Sequence, residues 1–341
     1  MTNKRQSNME LCRLVSILFV MLVHTTKQSL GDDMSLGALI LEGFTIIGVD
    51  VFILLSGFFS ATPKKTSFFN LAFICFFWMV IKLLCLYECG EPITYEHLFF
   101  MTNSNWFIVS YIQLLFLAPI LNIFANSVSG RTLWGVVIAL FLIQIWFDWI
   151  PPYPGGRASS DFSILSFIFL YLLARAIRLY GLPQWFMKKS PLIYVSCSVL
   201  LGIGAYSLDL VGLGRVKGLC FSYINPVVII SAVAFVISFL NYNFQSKIVN
   251  HLAKSTLALL LGHKAIFFLY TKQFKYLYDH FSGITVVAYW ALAVAIVFCA
   301  SIAIDQIRLL LYKPIEKWMK MKIKNNNFFD LPVGKRQSVI K

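Results

Sequence analysis

A chain of 341 residues that is 59% hydrophobic and 16% aromatic but only 13% charged, with a mean hydropathy of +0.76, is too apolar for a soluble domain of that length. It reads as an integral membrane protein. The net charge of +14 does not point to nucleic acid: Lys and Arg gather in alternate loops and in the tail, with no zinc spacing and no basic–aromatic interleaving.

The first apolar run, Glu10 to His24, sets ten uncharged and nearly all apolar residues between Arg13 and His24. In a helix, eleven steps of about 100° return His24 to within roughly 20° of Arg13. The two then share one face about 16 Å apart, about half the hydrocarbon thickness. A fixed cation and a titratable imidazole at two depths of one face suit an active site better than lipid. Two plainer readings stand beside this one. Lys4 and Arg5 before an apolar run resemble the start of a secretory signal, although Arg13 interrupts the run and no small-x-small cleavage site follows His24-Thr-Thr-Lys27. A tilted anchor whose Arg13 snorkels to the headgroups is the other.

The second run reads Gly48-Val-Asp50-Val-Phe-Ile-Leu-Leu-Ser56-Gly57-Phe-Phe-Ser60. An Asp in mid-membrane costs about 2.5–3.5 kcal/mol on insertion, and such residues face a bundle interior. Gly57 lies on nearly the same face as Asp50, where the missing side chain permits close helix approach. Counted inward from the flanking cations, His24 and Asp50 differ in depth by roughly one to two turns. Asp50 therefore reads as a carboxylate that orients or charge-stabilises His24, or else as half of a structural ion pair. Ser56-Gly57 reads as part of the site or as a small-residue packing seam.

Apolar length predicts ten transmembrane helices, over residues 9–26, 39–61, 67–89, 106–125, 132–150, 162–180, 192–208, 223–240, 256–271 and 284–311. The fold class expected is an all-α polytopic membrane protein. An even count puts both termini on one side, with Lys4-Arg5, Lys64-Lys65, Arg131, Arg178, Lys188-Lys189, Lys247, Lys254 and the tail from Lys313. The opposite loops hold Lys27, Arg157, Arg215, Lys217, Lys272 and Lys275, diluted by Asp32, Asp33, Glu88, Glu91 and Glu96. That bias predicts cytoplasmic termini. The layout is then a cytoplasmic segment at 1–8, a transmembrane domain at 9–311 and a basic cytoplasmic tail at 312–341, which beyond Trp318 is too short for a second domain.

The fourth run starts with an interfacial aromatic, Trp106, and contains Pro119, which predicts a kink. Pro-Pro-Tyr-Pro-Gly-Gly at 151–156 reads as an external loop. In the ninth run, His263-Lys264 either lines a polar cavity or caps one. Asp305 and Arg308, three apart in the last run, read as a local ion pair. The seven cysteines show neither a pairing pattern nor metal-ligand spacing, so all read as small apolar side chains and no metal is expected. No internal repeat is evident.

Arg13-x10-His24 on the first run, Gly48-Val-Asp50-Val-Phe with Ser56-Gly57-Phe58 on the second, and Trp106-Phe107 through Pro119 on the fourth resemble the membrane acyltransferase 3 family. Lys254-Ser255-Thr256 to His263 resembles a late-span motif of that family. There Leu260 and Lys264 stand where Tyr and Pro are common. The resemblance runs from about Met9 to Trp318 and lacks the soluble hydrolase-like domain that some members carry.

It implies an O-acyltransferase of the bacterial cytoplasmic (inner) membrane. Such an enzyme moves an acyl group, by expectation acetyl, from cytoplasmic acyl-CoA to a hydroxyl of a glycan or lipid-linked sugar, with no tightly bound cofactor. Arg13 would meet a coenzyme A phosphate. His24, with Asp50, would act as general base or accept the acyl group itself. Ser56, Gly57, Trp106 and His263 are assigned to substrate contact or to structure. No Gly-x-Ser-x-Gly elbow offers a serine route. Two other classes predict no dependence on acyl-CoA: a proton-coupled transporter or flippase using His24, Asp50 and His263 as a relay, and a structural membrane subunit.

Overall fold

The structure, a computed structural model, describes residues 6–30, 34–98, 105–149, 163–281 and 283–322. Lys4-Arg5, Asp32-Asp33, the 151–156 loop with Arg157, and the tail beyond residue 322 lie outside the described residues. Among those described, every regular element is a helix and none is a strand. In chain order they are α1 (Ser7–Leu30), α2 (Leu36–Thr45), α3 (Gly48–Phe58), α4 (Lys65–Glu88), α5 (Tyr95–Leu98), α6 (Trp106–Ser127), α7 (Gly130–Trp149) and α8 (Ile164–Tyr180). Then follow α9 (Gln184–Leu210), α10 (Gly214–Cys220), α11 (Pro226–Leu240), α12 (Lys247–Leu252), a 3-10 turn (Ala253–Ser255), α13 (Thr256–Ala265), α14 (Phe267–His280) and α15 (Ile284–Lys322).

Each expected apolar run falls on helix, but two runs are broken. The second stops at Ile46-Ile47 and restarts as α3, and the ninth stops at Ile266 and restarts as α14. Among the described residues, six helical stretches are long and apolar enough to cross a membrane: Ser7–Thr26, Leu36–Phe58, Lys65–Glu88, Trp106–Ser127, Gln184–Leu210 and Gly283–Lys322. Gly130–Trp146 and Pro226–Leu240 are apolar but shorter. Of the remaining expected runs, α8 has 17 residues, α11 has 15, and the ninth is divided into helices of 10 and 14. The last helix runs past residue 311 to Lys322, and an i,i+4 pair of Glu316 with Lys320 at 2.6 Å supports its polar end.

The chain divides into two compact units that interleave along the sequence. The first comprises the described parts of Met1–Ser35, Lys64–Thr102 and Phe244–Asn325. Here α1 packs on α12, α13, α14 and α15, and α13 packs on α4 and α15. Met21, Phe274, Val294 and Val297 form an apolar core between α1, α14 and α15. Two polar ties fix the ends of α1. The Ser246 amide donates to Ser7 Oγ at 2.9 Å, and Trp290 Nε1 donates to Thr25 Oγ1 at 3.1 Å.

Asp305 and Arg308 form the ion pair expected from their spacing, both completely or almost completely buried. The guanidinium reaches both carboxylate oxygens, with Nη2 donating to Oδ2 at 3.1 Å and Nη1 to Asn70 Oδ1 at 3.4 Å. Asp305→Ala leaves that buried cation with one neutral acceptor. It should destabilise the protein by about 3–5 kcal/mol, read as a lowered unfolding midpoint in detergent; an unmoved midpoint would contradict the pairing.

The second unit comprises the described parts of Leu36–Pro63 and Asn103–Asn243. Its centre is α8, packed by α3, α6 and α7, while α9 carries α2, α10 and α11. Gly57 is where α3 meets α8: a side chain there would run into the Tyr171 carbonyl and stand 3.0 Å from the Ala174 methyl. The Ser-Gly motif thus has a packing reason, the close approach that only glycine allows. Next to it, Tyr171 Oη donates to Asn122 Oδ1 at 2.9 Å, Asn122 Nδ2 donates to the Ala61 carbonyl at 3.1 Å, and Arg175 donates to Ser60 Oγ and to Asn126 Oδ1. These bonds tie the end of α3 to α6 and α8.

Candidate active site

The candidate site lies in the first unit, where α1 and α13 bring two imidazoles together. His24 is carried by α1, whose Thr25 is held by Trp290 of α15, which fixes the helix rotation beside the histidine. His263 sits in the last turn of α13, a helix buried on nearly every side. The residue before it, Gly262, lets α13 settle against α4: an added Cβ would stand 2.7 Å from the Trp78 ring. The chain turns at Ile266 directly after this helix, so His263 ends up inside the unit rather than midway along a long span.

His24 Nδ1 is 2.9 Å from His263 Nε2. The ring centroids are 5.1 Å apart and the planes 28° from parallel, so the rings meet nitrogen to nitrogen. His263 is completely buried, whereas His24 keeps part of its surface exposed. The other nitrogen of His263, Nδ1, is 2.9 Å from the Leu259 carbonyl. A carbonyl can only accept, so His263 Nδ1 carries the proton and donates. In a neutral imidazole its Nε2 is then the acceptor, and His24 must donate from Nδ1. His24 Nε2 is left with the basic lone pair. The chain Leu259 carbonyl–His263–His24 therefore fixes tautomer and ring orientation, as a supporting partner does for a catalytic or metal-bound histidine.

The other expected site residues fall as follows. Arg13 shares α1 with His24, is half-buried, and donates from Nη1 to Glu10 Oε2 at 2.8 Å. Asp50 belongs to the second unit, completely buried in the first turn of α3, where the helix N-terminus favours a carboxylate. Ser56 Oγ, also in α3, donates back to the Phe52 carbonyl at 3.0 Å. The Trp106 ring packs among Phe107, Phe167 and Tyr223 in the second unit. Within the first unit, His263 partners His24. That pairing joins residues 239 apart and leaves no local signal; a histidine in an otherwise apolar helix was its one trace. Glu10, three residues before Arg13, is a partner that i,i+3 spacing alone makes legible in the sequence.

No three His, Cys, Asp or Glu side chains among the described residues form a metal-ligand set. The cysteines are free, with Cys12 and Cys75 buried in helix packing. A half-exposed imidazole with a defined lone pair, held by a buried second imidazole, can take a proton from a hydroxyl or attack an activated carbonyl.

Comparison with known proteins gives the site its context. No curated protein and no solved structure matches the chain. A family model described as an acyltransferase domain matches residues 6–305, which include both histidines, Arg13 and Asp50. The chain belongs to the acyltransferase 3 family, whose members are membrane acyltransferases.

Proposed function

We propose that this protein is an O-acyltransferase, with acetyl as the acyl group, that uses cytoplasmic acyl-CoA to acylate a hydroxyl of a cell-surface or exported polysaccharide. It resides in the bacterial inner membrane, crosses it ten times, and has both termini in the cytoplasm. The ten apolar runs and the alternation of basic loops support that topology. The observation that carries the function is the His24–His263 pair at 2.9 Å inside an acyltransferase family match.

In the transfer, the acceptor hydroxyl oxygen bonds to the thioester carbonyl carbon, the carbon–sulfur bond breaks, and the thiolate leaves. His24 Nε2 removes the hydroxyl proton and returns it to the thiolate, or it takes the acyl group first and passes it on. His263 holds the ring in the tautomer that either route needs. Asp50 stays in the proposal as a carboxylate on which activity depends. Arg13, aimed by Glu10, meets a phosphate of the donor. Arg13→Lys keeps the charge but loses the planar fork, and should raise KM for acyl-CoA more than it lowers kcat. Equal KM for the variant and the wild type would leave Arg13 a structural role.

The test is to incubate purified protein in lipid nanodiscs with labelled acetyl-CoA and surface polysaccharide, measuring free thiol and label on the glycan. Protein-dependent release of coenzyme A with label transfer is expected. No thiol release above the buffer rate would overturn the reading in favour of a transporter or a structural subunit.

A further inference from the structure

A second feature of the first unit lies away from the histidine pair. A cavity of about 560 Å³ opens between the start of α4, the α12–3-10 segment and α15. That size is within the range of small-molecule and cofactor sites. Thr66 and Ser67 from the first turn of α4, Asn70, His251 and Gln306 give it polar walls, and Lys254, Arg308, Lys313 and Glu316 are its charged lining.

The charges do not cancel. Arg308 is matched by Asp305, and Glu316 is matched by Lys320 at 2.6 Å. Lys254 and Lys313 form no ion pair among the described residues, so two ammonium groups remain in excess. The polar wall is itself ordered: His251 Nε2 lies 3.1 Å from Gln306 Oε1, and Gln306 Nε2 donates to Ser255 Oγ at 3.4 Å. The first turn of the 24-residue α4 adds the positive end of its dipole. Hydroxyls, amides and two uncompensated ammonium groups around a cavity are the chemistry that holds phosphate oxygens.

We propose that this cavity is a phosphate-binding site formed by Lys254, Lys313, Thr66 and Ser67. Resting on the acyl-CoA reading above, its occupant is the phosphate-bearing nucleotide end of the donor. The placement gives the Lys254-Ser255-Thr256 motif a purpose. Lys254 stands at one end of the segment and His263 at the other, nine residues and roughly 14 Å along it. A nucleotide held at Lys254 thus leaves its pantetheine arm to reach along α13 toward the histidines.

The experiment uses full-length protein in nanodiscs of phosphatidylcholine alone, comparing wild type with the double variant Lys254→Gln/Lys313→Gln. Both lysines are exposed or cavity-lining, which spares the packed core. Adenosine 3′,5′-bisphosphate should bind the wild type and bind the double variant about 10-fold or more weakly. With acetyl-CoA, kcat/KM should fall by a similar factor, mainly through KM, whereas the loss with S-acetylpantetheine, which lacks the nucleotide, should be several-fold smaller. A second arm adds phosphatidylglycerol and reads retained lipid by native mass spectrometry. Lipid held by the wild type and lost in the variant, with no nucleotide binding, would keep the phosphate site and assign it to a headgroup. If neither anion distinguishes the two proteins, the proposal is overturned. Acyl transfer with an unchanged KM for acetyl-CoA in the variant would sink this site and leave the acyltransferase reading standing. Bisphosphate binding that depends on the lysines, without any acyl transfer, would do the reverse.

Discussion

His24→Ala should reduce acyl transfer by about 10²–10⁴-fold, the usual contribution of a positioned general base, and by more if the imidazole carries the acyl group. The fold should survive. His24 is partly exposed, its immediate neighbours are held by their own contacts, and deletion of its ring leaves His263 with the Leu259 carbonyl still in place. Losing the imidazole–imidazole hydrogen bond costs about 1 kcal/mol of stability. Coenzyme A affinity should stay close to that of the wild type, because the donor is held elsewhere. Thiol release from acetyl-CoA, measured at matched amounts of folded protein, decides the matter; wild-type turnover in the variant would remove His24 from the chemistry.

His263→Leu should lower kcat by about 10–100-fold, the range for removing the partner that orients a functional histidine, with little change in KM for the donor. Leucine suits the apolar surroundings of α13, so an effect confined to folding is not expected. It removes the acceptor for His24 Nδ1–H and frees the ring to choose its other tautomer. Asn at this position keeps a carbonyl oxygen close to that hydrogen and should recover part of the loss. A purely structural His263 would instead show lowered stability in both variants and a kcat per folded molecule equal to the wild type. That split between kcat and stability is the discriminating measurement.

The parts of this architecture that depend on local period were readable from the chain. Arg13 and His24 share a face because eleven residues are close to three helical turns, and Asp305 meets Arg308 because three residues are one turn. The apolar runs located the helices because lipid demands continuous apolar surface. What depends on packing was not readable. Residues 256–271 are apolar enough for a single helix, and no Pro or Gly stands at Ile266, yet the chain turns there. The meaning of Gly57 is set by the Tyr171 backbone of α8, more than a hundred residues on. His263 lies 239 residues from His24, on a helix whose departures from the family motif, Leu260 and Lys264, flank it and obscure it. The excess charge of the basic cavity was visible as loop lysines, but its walls come from three separated segments and exist only once α4 and α15 are in place.

The tautomer of His24 is the central claim in its most exposed form. An imidazole in water prefers the proton on Nε2, whereas the chain from the Leu259 carbonyl through His263 requires it on Nδ1. Nitrogen NMR on histidine-labelled protein in bilayers reads this directly, with His24→Ala and His263→Leu used to assign the two rings. At a pH where both rings are neutral, His24 and His263 should each carry the proton on Nδ1, and His24 should lose that preference in His263→Leu. A His24 ring protonated on Nε2 in the wild type would contradict the pair, and with it the basic nitrogen on which the proposed acyl transfer depends.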